Sequence, residues 1–221
     1  MPDEIRKEPV AVIDITGSMG DAVAPHSTMT KKQLLENIMN ILTQDLAGLD
    51  TQGGDEASGG GLYTIWFADG NADEIGFDRE AVSPEKPYAK GDLNSANFTA
   101  FWRTLPWGGG TYIEPALNLV DEHMHEEFES KIKDSTRWPV LALAIITDGK
   151  LFDMTEANAW LRSRTGNAYV LTIVVGSDDA QHQAVEQWNA IAATNKHVRV
   201  VDAHASVDAH ALAQELLSMF S

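Results

Sequence analysis

Cysteine is absent from the 221-residue sequence, and with it go disulfides, thiolate metal sites and cysteine nucleophiles. Basic residues are scarce. Lysine and arginine number 16 against 33 aspartates and glutamates, a formal net charge of -17. No basic cluster offsets it, so a phosphate backbone or an anionic membrane is a poor partner. No apolar run approaches the roughly 18 residues that a membrane-spanning helix needs. The opening MPDEIRKEPV is charged where a secretory leader would be apolar, and the expected location is the cytoplasm. Neither G-x-x-x-x-G-K-[ST] nor G-x-G-x-x-G follows the first apolar run, which argues against the common phosphate-binding loops. Internal repeats are also missing.

What is present suits one folded globule. A composition of 43% hydrophobic and 22% charged residues fits a single domain over residues 1–221. Val10 to Ile13 form a short apolar run without helical spacing, as expected of a strand covered on both faces. Thr28 or Thr30 can cap a helix over Lys31 to Ala47, whose Leu34, Leu35, Ile38, Ile41, Leu42 and Leu46 recur at helical spacing. Thr51 to Gly61 has the composition of a connector. Leu62 to Ala68 reads as a strand, and Asp69-Gly70-Asn71 as a turn into an antiparallel edge strand, Asp73 to Phe77. A helix is expected over Asn94 to Leu105, and another from Ile113 to about Ile132. Val140 to Thr147 is the most apolar run and has the length of a buried strand. Beyond it come a helix around Ala157, Trp160 and Leu161, a strand Tyr169 to Val175, a helix Ala180 to Ala193, a strand His197 to Val201 and a helix ending near Phe220. The alternation predicts an α/β fold: a Rossmann-like, doubly wound, mostly parallel six-stranded sheet with one antiparallel edge strand and helices on both faces.

In such a sheet the loops after the strands share one edge. Asp14, Thr16 and Ser18 end the first strand, Asp148 ends the Val140 strand, and Thr111 opens a helix from the same side. Two carboxylates and three hydroxyls form a set of hard oxygen donors suited to Mg²⁺ or Mn²⁺, with Ca²⁺ a further option. Asp153, Asp178 and Asp179 lie near this edge too, where helix capping is their expected job.

Asp14-Ile15-Thr16-Gly17-Ser18-Met19, Thr111 after a glycine run, and Ile146-Thr147-Asp148-Gly149 together resemble the metal-ion-dependent adhesion site (MIDAS) of von Willebrand factor A (vWA) domains. In that family an Asp-x-Ser-x-Ser sequence ends the first strand, a Thr comes from a later loop and an Asp ends the fourth strand. The resemblance implies that Asp14, Thr16, Ser18, Thr111 and Asp148 are metal ligands, directly or through water. Two departures are visible. Thr16 stands where the family has Ser, keeping the hydroxyl and adding a methyl. The loop GDAVAPHS, Gly20 to Ser27, delays the first helix; its His26 is expected to be an ordinary surface residue, with a place near the metal as the alternative. The stretch from TDGKLFDMTEANAWLRSR to LTIVVGSDD is also similar to the intracellular branch with copines and tellurite-resistance proteins.

If only two carboxylates serve a divalent cation, one or both of them through water, the ion keeps uncompensated charge, and an acidic side chain of another protein can meet it. No base is placed by sequence to activate a metal-bound water. The expected function is a metal-dependent protein-binding module that recruits a Glu or Asp of a partner and is not an enzyme. An alternative stays open, because Asp14-Ile15-Thr16-Gly17-Ser18 also resembles the Asp-Lys-Thr-Gly-Thr sequence of haloacid-dehalogenase-like phosphotransferases, in which Asp14 would be the nucleophile. Against it, Ile15 replaces the lysine and the GGGT loop has no role. A structural adaptor without metal is the third reading, and it would tolerate Asp14→Ala.

Overall fold

The computed structural model describes residues 7–49, 62–68, 108–149, 151–164, 166–203 and 208–221. Among the described residues five strands form one sheet: β1 (Lys7–Asp14), β2 (Tyr63–Phe67), β3 (Val140–Thr147), β4 (Ala168–Val175) and β5 (Val198–Ala203). They lie in the order β2-β1-β3-β4-β5, and every neighbouring pair is parallel. Among the described residues the sheet thus has five parallel strands, not the expected six with an antiparallel edge. The strand expected over Asp73 to Phe77 lies outside the described residues, as do the connector Thr51 to Gly61 and the helix over Asn94 to Leu105.

Five helices are described: α1 (Lys31–Leu49), α2 (Glu114–Met124), α3 (Met154–Ser163), α4 (Asp179–Ala192) and α5 (Ala209–Phe220). The two-residue period of the strands splits the core in two. Ala11, Ile13, Ala142, Ala144 and Ile146 face Leu35, Ile38 and Leu42 of α1 and Leu212 and Leu216 of α5. Val10, Val12, Leu141, Leu143 and Ile145 face Leu117 and Val120 of α2, Leu161 of α3 and Trp188 of α4. The near-continuous apolar runs of β1 and β3 follow from this burial on both faces.

The helix starts are set by identifiable side chains. Thr30, rather than Thr28, caps α1: its Oγ1 accepts from Gln33 N at 3.1 Å, and Gln33 Oε1 accepts from Thr30 N at 2.9 Å, a reciprocal capping box. Beyond Met124 the chain does not continue as an α-helix to Ile132. It widens into a π-turn over His125–Glu129, where Ser130 N bonds to His125 O and Phe128 is buried. No helix among the described residues is long and apolar enough to cross a membrane.

The amino ends of the strands carry a different character. A cavity of about 290 Å³ there is lined by Lys7, Tyr169, Lys196, His197, Arg199 and Met219, among others. Lys7 Nζ donates to Met219 O at 3.0 Å, so the start of β1 meets the end of α5.

Candidate metal centre

With the order β2-β1-β3-β4, the chain leaves β1 toward one side of the sheet and β3 toward the other, and the crevice at the carboxyl ends of two such strands is where ligands bind in open α/β sheets. Asp14 ends β1, and Asp148 follows β3. Both carboxylates are wholly buried. Register places Ile13 beside Ile146, which sets Asp14 beside Thr147 and one residue from Asp148.

The Asp14 carboxylate is held at both oxygens. Oδ1 accepts from Thr16 N at 2.8 Å and Thr16 Oγ1 at 2.6 Å, and Oδ2 accepts from Thr147 Oγ1 at 2.8 Å. Thr16 Oγ1 lies 3.1 Å from Ser18 Oγ. Thr16 therefore fits its methyl into the site, where it is 1% exposed, without losing the hydroxyl's position. Burial first, and then the charge of Asp148, push the Asp14 carboxyl up from 3.8 to about 6, against the lowering effect of the bonds from Thr16 and Thr147. A buried carboxylate whose ionisation is opposed by burial and by a neighbouring carboxylate marks a place where positive charge is favoured.

Thr111 comes to the same edge through its backbone neighbours. Gly108 N donates to Ile15 O and Tyr112 N to Ala68 O, each at 3.0 Å, which ties this loop to the ends of β1 and β2. Phe152 N donates to Thr111 O at 2.9 Å and ties it to the loop after β3. Thr111 is buried, and none of the hydrogen bonds among the described residues joins its hydroxyl to the other four side chains. Three loops thus meet on one edge, with Asp14, Thr16 and Ser18 in one hydrogen-bonded chain and Thr111 and Asp148 flanking it.

The neighbouring acids have other duties. Asp178 Oδ1 accepts from Gln181 N at 2.8 Å and caps α4. Asp153 precedes α3 but caps a different helix: its oxygens accept from Ile113 N at 3.0 Å and Glu114 N at 2.6 Å, at the start of α2. Asp179 opens α4. His26 is exposed, with φ 66°, at the tip of a small loop closed by Val23 N to Met29 O and Lys31 N to Asp21 O. Gly149 takes φ +88°, and a Cβ on it would come 2.0 Å from Ala184 Cβ, so the turn just after Asp148 closes tightly onto α4. Phe152 is 71% exposed, and its ring lies 5.3 Å from that of Tyr112, forming an apolar rim beside Thr111.

Sequence reasoning missed Lys31. Its Nζ lies 3.2 Å from Asp148 Oδ2, and the side chain is 1% exposed. A faint signal was present, since Lys31-Lys32 opens a helix, where the macrodipole disfavours cations. It also missed Thr147, which reads only as a strand residue, and the long-range cap by Asp153.

The donor set fits a hard divalent cation: oxygen only, with two buried carboxylates close enough for the charge of one to act on the other. Among the described residues no group of three or more His, Cys, Asp or Glu could hold a metal ion. Any ion at this edge therefore depends on the hydroxyls as much as on the acids.

No protein-family model and no curated protein matches the sequence. Solved structures do match in fold. The manganese-loaded TRAP protein of Plasmodium vivax superposes with a TM-score of 0.58 at 14% identity, covering 98% of this chain and 74% of that one. The SpRpn10 VWA domain gives 0.53 at 9%, covering 97% and 94%. Proximal thread matrix protein 1 of the mussel byssus, with zinc in its MIDAS motif, gives 0.50 at 14%, covering 98% and 48%. The chain has the vWA fold. The likeness to copines and tellurite-resistance proteins finds no support among these neighbours.

Proposed function

We propose that this vWA-fold chain is a metal-dependent protein-binding module. Asp14, Thr16, Ser18, Thr111 and Asp148 would hold a divalent cation, Mg²⁺ or Mn²⁺ by the hardness of their oxygens. The observation that carries the reading is the pair of wholly buried carboxylates at the β1/β3 crevice, one of them pushed up to about 6. The manganese in TRAP and the zinc in the mussel protein's MIDAS motif support a divalent ion in this fold. When bound, the ion supplies a Lewis-acidic position for an anionic oxygen.

The residues of the chain do the rest. Thr16 and Thr147 fix both oxygens of Asp14, and burial keeps water from competing for it. Asp153 fixes the start of α2 and with it the loop bearing Thr111. A Glu or Asp of a partner protein is the ligand that fits the exposed side, and Phe152 and Tyr112 offer apolar contact next to it. We read the module as non-catalytic, because both oxygens of Asp14 already accept hydrogen bonds.

Crystals soaked in Mn²⁺ test the reading. Anomalous density is expected where the three loops meet, and Asp14→Ala is expected to abolish it together with metal-dependent capture of a partner. Absence of density there would sink the metal assignment. Turnover of a generic phosphoester that Asp14→Asn abolishes would instead support the phosphotransferase alternative.

A further inference from the structure

Lys31 is among the largest fully buried side chains in the described part of the molecule. Lysine is almost never buried without a partner, because desolvating an ammonium is costly. Its Nζ lies 3.2 Å from Asp148 Oδ2 and 3.6 Å from Asp178 Oδ2. Room for the side chain is made by Gly176, at the end of β4, with φ +123°: a Cβ there would stand 2.9 Å from Lys31 Cε. The lysine is also the first residue of α1, where the helix dipole opposes it. Two local preferences are thus overridden to bring a cation against Asp148.

We propose that Lys31 is a resident counter-charge that sets both the affinity of the candidate metal site and its appetite for an anion. This rests on the metal-site reading above. The two ionised carboxylates, Asp14 and Asp148, would together balance a divalent cation. Lys31 adds a further positive charge from within, so the loaded site is left cationic by one. Asp178 faces the same ammonium, but its side chain is 45% exposed and water screens it. Lys31 therefore weakens the hold on the metal and leaves the loaded edge attractive to one monoanionic oxygen. A partner's carboxylate supplies the missing charge, which couples partner binding to metal binding.

The test is Mn²⁺ titration, by calorimetry and by the electron paramagnetic resonance signal of free Mn²⁺, on the full chain and on Lys31→Met and Asp178→Asn. Met keeps the length of the stem, and Asn keeps an oxygen for the cap of α4. Lys31→Met is expected to bind Mn²⁺ about tenfold more tightly or better, the scale of one nearby charge in a poorly screened site. Asp178→Asn, which leaves Lys31 less compensated, is expected to bind Mn²⁺ about two- to threefold more weakly. Acetate is expected to tighten Mn²⁺ binding by the unmodified chain more than by Lys31→Met. A purely structural lysine would give the reverse, a loosened site with weaker Mn²⁺ binding and no difference in the acetate effect.

If the unmodified chain binds Mn²⁺ and a folded Lys31→Met binds it no more tightly, the counter-charge proposal falls and the metal reading stands. If neither binds, both fall. Binding by Lys31→Met alone would support both. Should Lys31→Met not fold, unchanged or tighter Mn²⁺ binding by Asp178→Asn overturns the proposal.

Discussion

At Asp14, burial works against ionisation, and the metal-free fold should register this as a pH dependence. The folded carboxyl titrates at about 6 and the unfolded one near 3.8, so between those values the folded chain holds more protons. Stability from this group is therefore lost as pH rises through that window, by about 3 kcal/mol in all. Denaturant unfolding in a chelator should show this component between about pH 4 and pH 6 in the unmodified chain and not in Asp14→Asn; equal pH profiles for the two would contradict it. Gly149 makes the second prediction. Its φ of +88° and the 2.0 Å approach to Ala184 leave no space for a methyl, so Gly149→Ala should cost more than about 2 kcal/mol, read as a lowered Tm. The residue scale also shows where sequence is mute. Asp14, Thr16, Ser18, Thr111 and Asp148 stood out by type and spacing, whereas Lys31 did not, because its meaning depends on Asp148, 117 positions away. Pairings of that range leave no periodic or local trace.

Elements were the most legible level, since periodicity and caps are local. The spans of α1, β3 and β4 follow from runs of apolar residues, and the Thr30/Gln33 box is written within four residues. What local pattern does not contain is the pairing of elements, such as the place of β2 beside β1, parallel to it, at the edge of the described sheet. The cap on α2 is a second case, because its accepting carboxylate, Asp153, belongs to the loop ahead of α3. Asp153→Ala should free two amides at the start of α2 and cost about 1–2 kcal/mol. Hydrogen exchange at Ile113 and Glu114 should rise with it, while exchange in β4 stays as it was; uniform acceleration would mean a global effect instead. On the loop beside it, Phe152→Ala should weaken capture of a metal-dependent partner without changing Mn²⁺ affinity, since the exposed ring packs beside Tyr112 and offers the site no oxygen. Loss of Mn²⁺ affinity in that variant would place Phe152 in the support of the site rather than in contact with the partner.

The whole molecule carries a net charge of -17, which repels itself in the compact state. Raising monovalent salt from low to physiological ionic strength should therefore raise Tm in a chelator, by screening this repulsion; a fall would mean that attractive pairs, such as Arg199 with Glu215, outweigh it. That charge is not spread evenly, for Lys7, Lys196 and Arg199 gather around the cavity at the amino ends of the strands. The same end of the sheet joins Lys7 to Met219 through the bond from the lysine ammonium. A tether attached next to either residue, on a sensor chip or a bead, would therefore hold the molecule by its foot and turn Asp14, Thr111 and Asp148 outward, toward whatever flows past.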